Sequence, residues 1–158
     1  MKSKRYSIMN TYIRGSNVTP QVCHGLNRLW AGKDTMSPEA NALFTEWVND
    51  SEVEIVLQGG KHKELEDLYT SLKDIPSIPS AKFNEGGDEL CFSCTVVTFV
   101  ASDRIVAAGD YLRSHRASPA TAFDVLEKAS IVLNEETITL TASEIYVACN
   151  IAFLSLVA

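Results

Sequence analysis

The chain has no long hydrophobic run, and that removes one class of protein at once. Its most apolar segment, Ile145 to Val157, is broken by Asn150 and Ser155 and falls short of the ~20 apolar residues that a membrane span needs. A basic excess is missing too: 14 Lys and Arg stand against 20 Asp and Glu, for a net charge of -6. Polyanion binding rests on phosphate contacts from Lys and Arg, so an acidic chain binds RNA only through a local basic patch. With 8 Gly and 5 Pro in 158 residues and no low-complexity tract, a disordered or fibrous chain is excluded. Cysteine is sparse as well. Four are present, and Cys91 with Cys94 forms a C-x-x-C pair, but no second pair at zinc-ligand spacing accompanies it. The redox form of that motif opens a helix, whereas CFSC leads into the β-rich TVVTFV. We read four reduced thiols, no metal and no other cofactor, in a cytoplasmic protein. The basic MKSKR is followed by a segment too short and polar for a secretion signal,.

What is present is the composition of a folded domain, 46% hydrophobic and 22% charged, enough to bury a core. Tyr6 to Ile13 reads as a strand that breaks at RGSN. A helix follows, capped by Thr19 with Pro20 in its first turn, carrying Val22, Leu26, Leu29 and Trp30 at helical spacing until Gly32. Ser37 with Pro38 starts a second helix. VEIVL is a buried strand ended by Gly59-Gly60, and Leu65, Leu68 and Leu72 mark a third helix that IPSIP terminates. Ser80 to Asn84 is a further strand, EGGDE a turn in which Gly86 and Gly87 supply positive φ, and Cys94 to Ala101 a strong strand. Ser102 and Asp103 cap a helix ending near His115. The order β-α-α-β-α-β-β-α predicts an α/β fold, three-layer α/β/α with a short mixed sheet. We assign residues 1–116 to this domain. Residues 117–158 form a mainly helical extension: a helix from Pro119 to about Val132, the β-prone ETITL, and an apolar helix opened by a capping box of Thr141 and Glu144.

One short stretch raises the question of chemistry. TPQVCHGLNRLW sets Gln21 and His24 three residues apart at the mouth of the first helix. With EIVLQGGKHKEL, and with NEGG followed by TVVTFVAS, this order and spacing resembles the type 2 peptidyl-tRNA hydrolases over residues 5–115. The resemblance implies the three-layer fold and hydrolysis of the ester at the tRNA 3′ end. It implies catalytic places for Asn17, Gln21, His24, Glu85 and Thr95, with Thr98 as the alternative register for Thr95. Two places differ from the family: Asn17 stands where it has Lys, and Glu85 where it has Asp. Weakened activity follows from the first difference, because a cation that would hold phosphate or stabilise developing charge is gone.

Such hydrolysis needs a held water, a group to take its proton and donors for the oxyanion. Glu85 suits the water, and Gln21, Asn17 and Thr95 suit the carbonyl. Arg14, Arg28 and Lys61 are the candidate substrate-binding residues, and a tRNA ligand requires them to cluster with Lys33, Lys63 and Lys82. Two further readings stay open: a non-catalytic nucleotide- or RNA-binding module on the same fold, and an interaction module that forms a homo-oligomer through the apolar C-terminal helix. No DNA or membrane partner is expected. Trp30 and Trp47 read as core packing, and His24, Gln21 and Glu85 each admit a plain structural role.

Overall fold

In the computed structural model, residues 3–87 and 91–157 are described; Asp88 and Glu89 of the expected turn lie outside them. The elements run β1 (Lys4–Met9), α1 (Val18–Ala31), α2 (Pro38–Glu46), β2 (Glu54–Gln58), α3 (His62–Lys73), β3 (Ser80–Asn84), β4 (Cys94–Ala101) and α4 (Asp103–Ser114). The extension continues as α5 (Ala122–Glu127), β5 (Ile131–Leu133), β6 (Glu136–Ile138) and α6 (Ala142–Phe153). Strands β2-β1-β4-β3 make one mixed sheet, with β1 parallel to β2 and antiparallel to β4, and β3 antiparallel to β4. Every residue of β4 is buried, as befits a strand covered on both faces, and its Val, Thr and Phe content suits that place.

On one face, Leu65, Leu68 and Leu72 of α3 join Ile8, Val97 and Phe99 of the sheet, and Ile105 and Leu112 of α4 extend the same core. On the other, Leu29 and Phe44 pack with Trp47, Ala81 and Val100. Burying such side chains stabilises by roughly 1.5 to 3 kcal/mol each. The close approach of α1 depends on Gly25, where an added Cβ would sit 3.0 Å from the Thr98 methyl.

The extension shares this core. Ile145, Val147, Ala148 and Ile151 of α6 belong to the same buried cluster as Leu65 and Ile105, and α6 packs on α3, α4 and α5. The expected capping box holds: the Thr141 hydroxyl accepts from Glu144 N–H (3.1 Å) and Glu144 accepts from Thr141 N–H (3.1 Å). Ser37 likewise caps α2 by accepting from Ala40 N–H,.

Several boundaries differ from expectation. β1 stops at Met9 because Asn10, buried, turns the chain: its amide donates to Cys94 O (2.9 Å) and its carbonyl accepts from Tyr12 N–H. Thr19 does not cap α1, which follows a 3-10 turn at Gly15–Asn17 and has Asn17 as its first flanking residue. The helix expected from Pro119 to Val132 is confined to α5, and Val132 lies in a hairpin whose turn, Asn134 and Glu135, has positive φ at both residues, the type I′ geometry. Gly86 and Gly87 do not have positive φ; in that region Cys91 and Phe92 do. Trp47 is buried and Trp30 is not: it stands edge-on to Phe44 with Lys33 over its face.

The end of α6 also departs from the helical reading to Val157. Leu154 is extended, after which Gln58 N–H donates to Ser155 O (2.9 Å) and Val157 N–H to Val56 O (3.1 Å). Leu156 bridges Leu57 antiparallel. The tail therefore lies along the outer edge of β2. Among the described residues no helix is long and apolar enough to cross a membrane.

Candidate functional site

Loops gather where β1 feeds α1, β2 feeds α3 and β3 turns into β4, the end of an open α/β sheet where ligands commonly bind. There Gln21, Glu85 and Thr95 form a continuous hydrogen-bonded chain. The Thr95 hydroxyl donates to Gln21 Oε1 (2.6 Å), and Gln21 Nε2 donates to Glu85 Oε2 (3.0 Å). Phe83 O is a second, longer acceptor for Thr95, at 3.3 Å. Thr95 and Gln21 are buried and Glu85 half-buried. The direction of the chain fixes the amide: because Gln21 receives a proton donor at its oxygen, its nitrogen is the atom turned toward the carboxylate. Gly25, one turn beyond Gln21, lets α1 lie close enough to β4 for this contact.

The other expected members stand differently. His24 stacks flat on Phe83, with ring centroids 4.2 Å apart and planes 14° off parallel, and Arg28 lies over the same ring at 5.5 Å. His24 thus borders the chain by packing on the strand that presents Glu85. Asn17 precedes Gln21 by one helical turn on the same side of α1, but it is exposed, and its recorded hydrogen bond is from its backbone N–H to Arg14 O (3.2 Å). Among the described residues its side chain makes no hydrogen bond to the other four.

The expected cations fall into groups. The Arg14 side chain donates to Thr11 O, and Thr11 N–H donates to Gly60 O beside Lys61, so Arg14 and Lys61 flank one pair of loops. Arg28 and Lys82 line a cleft of 620 Å³ farther along β3, whose walls include none of Gln21, His24, Glu85 or Thr95. Lys63 is held by Asp67 at 2.6 Å and Lys82 by Glu66 at 2.6 Å.

Three positioning residues carry no distinct signal in the sequence. Asn10 ties the β1 loop to the start of β4. Cys94 N–H donates to His62 Nδ1 (2.9 Å), which requires that nitrogen to be unprotonated and anchors the start of α3 beside Thr95. Phe83 is the platform for His24 and Arg28. Cys94 itself is a reduced, fully buried thiol, its pKa pushed up to about 12 by burial. A buried neutral thiol of this kind is a poor nucleophile.

The site is thus an α/β layer protein's half-open polar chain, in which a carboxylate is oriented by an amide and the amide by a buried hydroxyl. Such an arrangement can hold a water and accept its proton at the carboxylate oxygen that Gln21 leaves open. No family model matches the chain, and no curated protein matches it.

Proposed function

We propose that the chain hydrolyses the ester between a peptidyl or aminoacyl group and the 3′ end of tRNA, as a relative of the type 2 peptidyl-tRNA hydrolases. The observation that carries this reading is the Thr95-Gln21-Glu85 chain, built from three residues that the resemblance singles out. Glu85 accepts the proton of the attacking water, and Gln21 keeps the carboxylate in place. Asn17, at the start of α1, replaces a cation with a neutral donor, so turnover is slow. Single-turnover hydrolysis of N-acetylaminoacyl-tRNA tests this: Glu85→Gln should abolish the reaction and Asn17→Lys should accelerate it.

A second reading, a non-catalytic nucleotide- or RNA-binding module, is favoured by the exposed position of Asn17 outside the chain. It predicts that wild type and Asn17→Lys are equally inert while each still binds tRNA. The third reading, self-association through α6, has little free surface, since that helix packs on α3, α4 and α5. A homo-oligomer would form on Phe123, Val132 and Leu156, the exposed large apolar side chains of the extension. Sedimentation velocity of the full chain against Leu156→Asp decides it: a dimer lost in the variant supports the interface, and a wild-type monomer removes it.

A further inference from the structure

The two outer strands of the sheet end differently, and the open one faces a cleft. Val100 N–H donates to Pro79 O (3.1 Å), and the β3–β4 register pairs Ser80 with Phe99, Ala81 with Thr98 and Lys82 with Val97. Antiparallel pairs alternate between hydrogen-bonded and non-bonded positions. Ala81 and Phe83 therefore direct their backbone groups toward β4, and Ser80 and Lys82 direct theirs outward. Ser80, Ala81 and Lys82 line the 620 Å³ cleft, a size within the roughly 300 to 1,000 Å³ of ligand pockets. Its walls come from both helical layers: Arg28 and Met36 on one side, Tyr69 and Lys73 on the other. The Ser37 hydroxyl donates to Pro76 O (2.7 Å), joining the two layers near the start of β3.

The cleft is also a cationic region of an acidic molecule. Arg28, Lys73 and Lys82 line it with no Asp or Glu, against a net charge of -6 for the chain. Lys82 shares its charge with Glu66. Arg28 and Lys73 make no ion pair among the described residues and lie over the rings of Phe83 and Tyr69.

We propose that this cleft binds an extended peptide segment rich in Asp or Glu, which adds to the sheet as a strand beside β3. Three features select that occupant. Alternating outward N–H and C=O groups complement another peptide backbone, whereas a phosphodiester offers only acceptors and would leave the carbonyls of Ser80 and Lys82 facing negative charge. A second copy paired edge to edge would bring Arg28 and Lys82 against their like-charged equivalents. Arg28 and Lys73, on opposite walls, suit acidic side chains that alternate across the added strand.

The test uses the full chain and two degenerate libraries of blocked hexapeptides of Val, Thr and Tyr, with an adjacent Glu pair at the centre in one, so that one carboxylate faces each wall, and an adjacent Lys pair in the other. Amide hydrogen exchange is followed by NMR. The Glu library should slow exchange at Ser80 and Lys82 by about tenfold or more, and the Lys library should leave it unchanged. Ser80→Pro removes an outward N–H without touching the β4 ladder, and Arg28→Glu reverses one wall; each should weaken binding about tenfold. Glu85→Gln, which stops hydrolysis under the proposed function, should leave the protection in place. Equal protection by the two libraries, or none by either, overturns the proposal. Adenosine monophosphate or inorganic phosphate shifting Arg28 and Lys73 signals, with Ser80 and Lys82 amides unaffected by peptide, would assign the cleft to small anions. Protection that rises with protein concentration alone would assign it to a second copy.

Discussion

The edge of the sheet at β2 and the edge at β3 solve the same problem in opposite ways. Both present unpaired backbone groups, which invite pairing with another chain unless covered. At β2 the chain covers itself: residues after α6 run antiparallel beside the strand, and Gln58 and Val157 complete two hydrogen bonds there. The same side buries an ion pair, Arg5 with Glu54, under the ring of Trp47. At β3, among the described residues, nothing bonds to the outward backbone groups of Ser80 and Lys82, and helices frame the edge instead of closing it. The covered side holds the buried ion pair, and the open side leaves backbone groups that a ligand can reach. The candidate polar chain belongs to the open side, since Glu85 continues β3.

The largest effect should come from breaking the covered side. Arg5 is 3% exposed, and removing it as Arg5→Met strands the Glu54 carboxylate, at a cost of about 3 to 5 kcal/mol near neutral pH. Burial already pushes the Glu54 carboxyl above its ordinary value, with Ser7 and Arg5 only partly offsetting it. A raised carboxyl value means stability that is present in acid and lost as pH rises through it, so the deficit of Arg5→Met should shrink as pH is lowered. Urea unfolding at pH 7 and pH 5 checks both statements. Adding Glu54→Leu should recover most of the loss.

On the open side a comparable break should be milder. Thr95→Val leaves Gln21 Oε1 without its donor in a buried place, worth about 1 to 3 kcal/mol. Its effect on hydrolysis should exceed its effect on stability, because the freed amide no longer points its nitrogen at Glu85. If stability falls and hydrolysis is unchanged, the chain is structural only.

The extension offers an acid-sensitive contrast. Burial raises the Glu144 carboxyl, but the hydrogen bond from Arg104, with those at Thr141, outweighs it and holds the group below its ordinary value. A depressed carboxyl contributes stability above its unfolded value and loses it as pH falls through the folded one. Wild type should therefore lose an increment of stability in acid, below the ordinary carboxylate range, that Glu144→Gln does not show. Thermal unfolding followed from neutral to strongly acidic pH measures it.

How much of this was legible in the sequence follows the physics of each part. Periodic apolar spacing marked α3 through Leu65, Leu68 and Leu72, and side-chain caps marked Ser37 and Thr141, because those signals act over a few residues. The meeting of Gln21, Glu85 and Thr95 is what the resemblance to the type 2 peptidyl-tRNA hydrolases implies, and no local signal of these residues marks it. Asn10 reads as strand in the sequence, since a side chain that bonds a distant carbonyl at Cys94 leaves no local trace. The tail after Phe153 was read as helix because its apolar residues suit either state, and only the vacant edge of β2 decides for the extended form. The openness of β3 was likewise invisible: it depends on which strand ends at the border of the sheet, a long-range fact.

The smallest effect compares the two edges directly. Proline lacks the backbone donor and is tolerated in a sheet only where that donor faces outward. At Gln58 the outward N–H is used, donating to Ser155 O, and the side chain also donates to Thr11 O (3.0 Å). Gln58→Pro should therefore cost the covered edge on the order of 1 kcal/mol for each hydrogen bond lost. At Ser80 the outward N–H has no partner among the described residues, so Ser80→Pro should change stability by no more than about 0.5 kcal/mol. Parallel urea titrations of the two variants give the difference, and amide exchange in the wild type gives the same contrast without mutation, slow at Gln58 and fast at Ser80. Equal costs for the two prolines, with a slow Ser80 amide, would mean that the β3 edge is already paired in solution. The contrast between the edges would then collapse, and with it the strand-addition site.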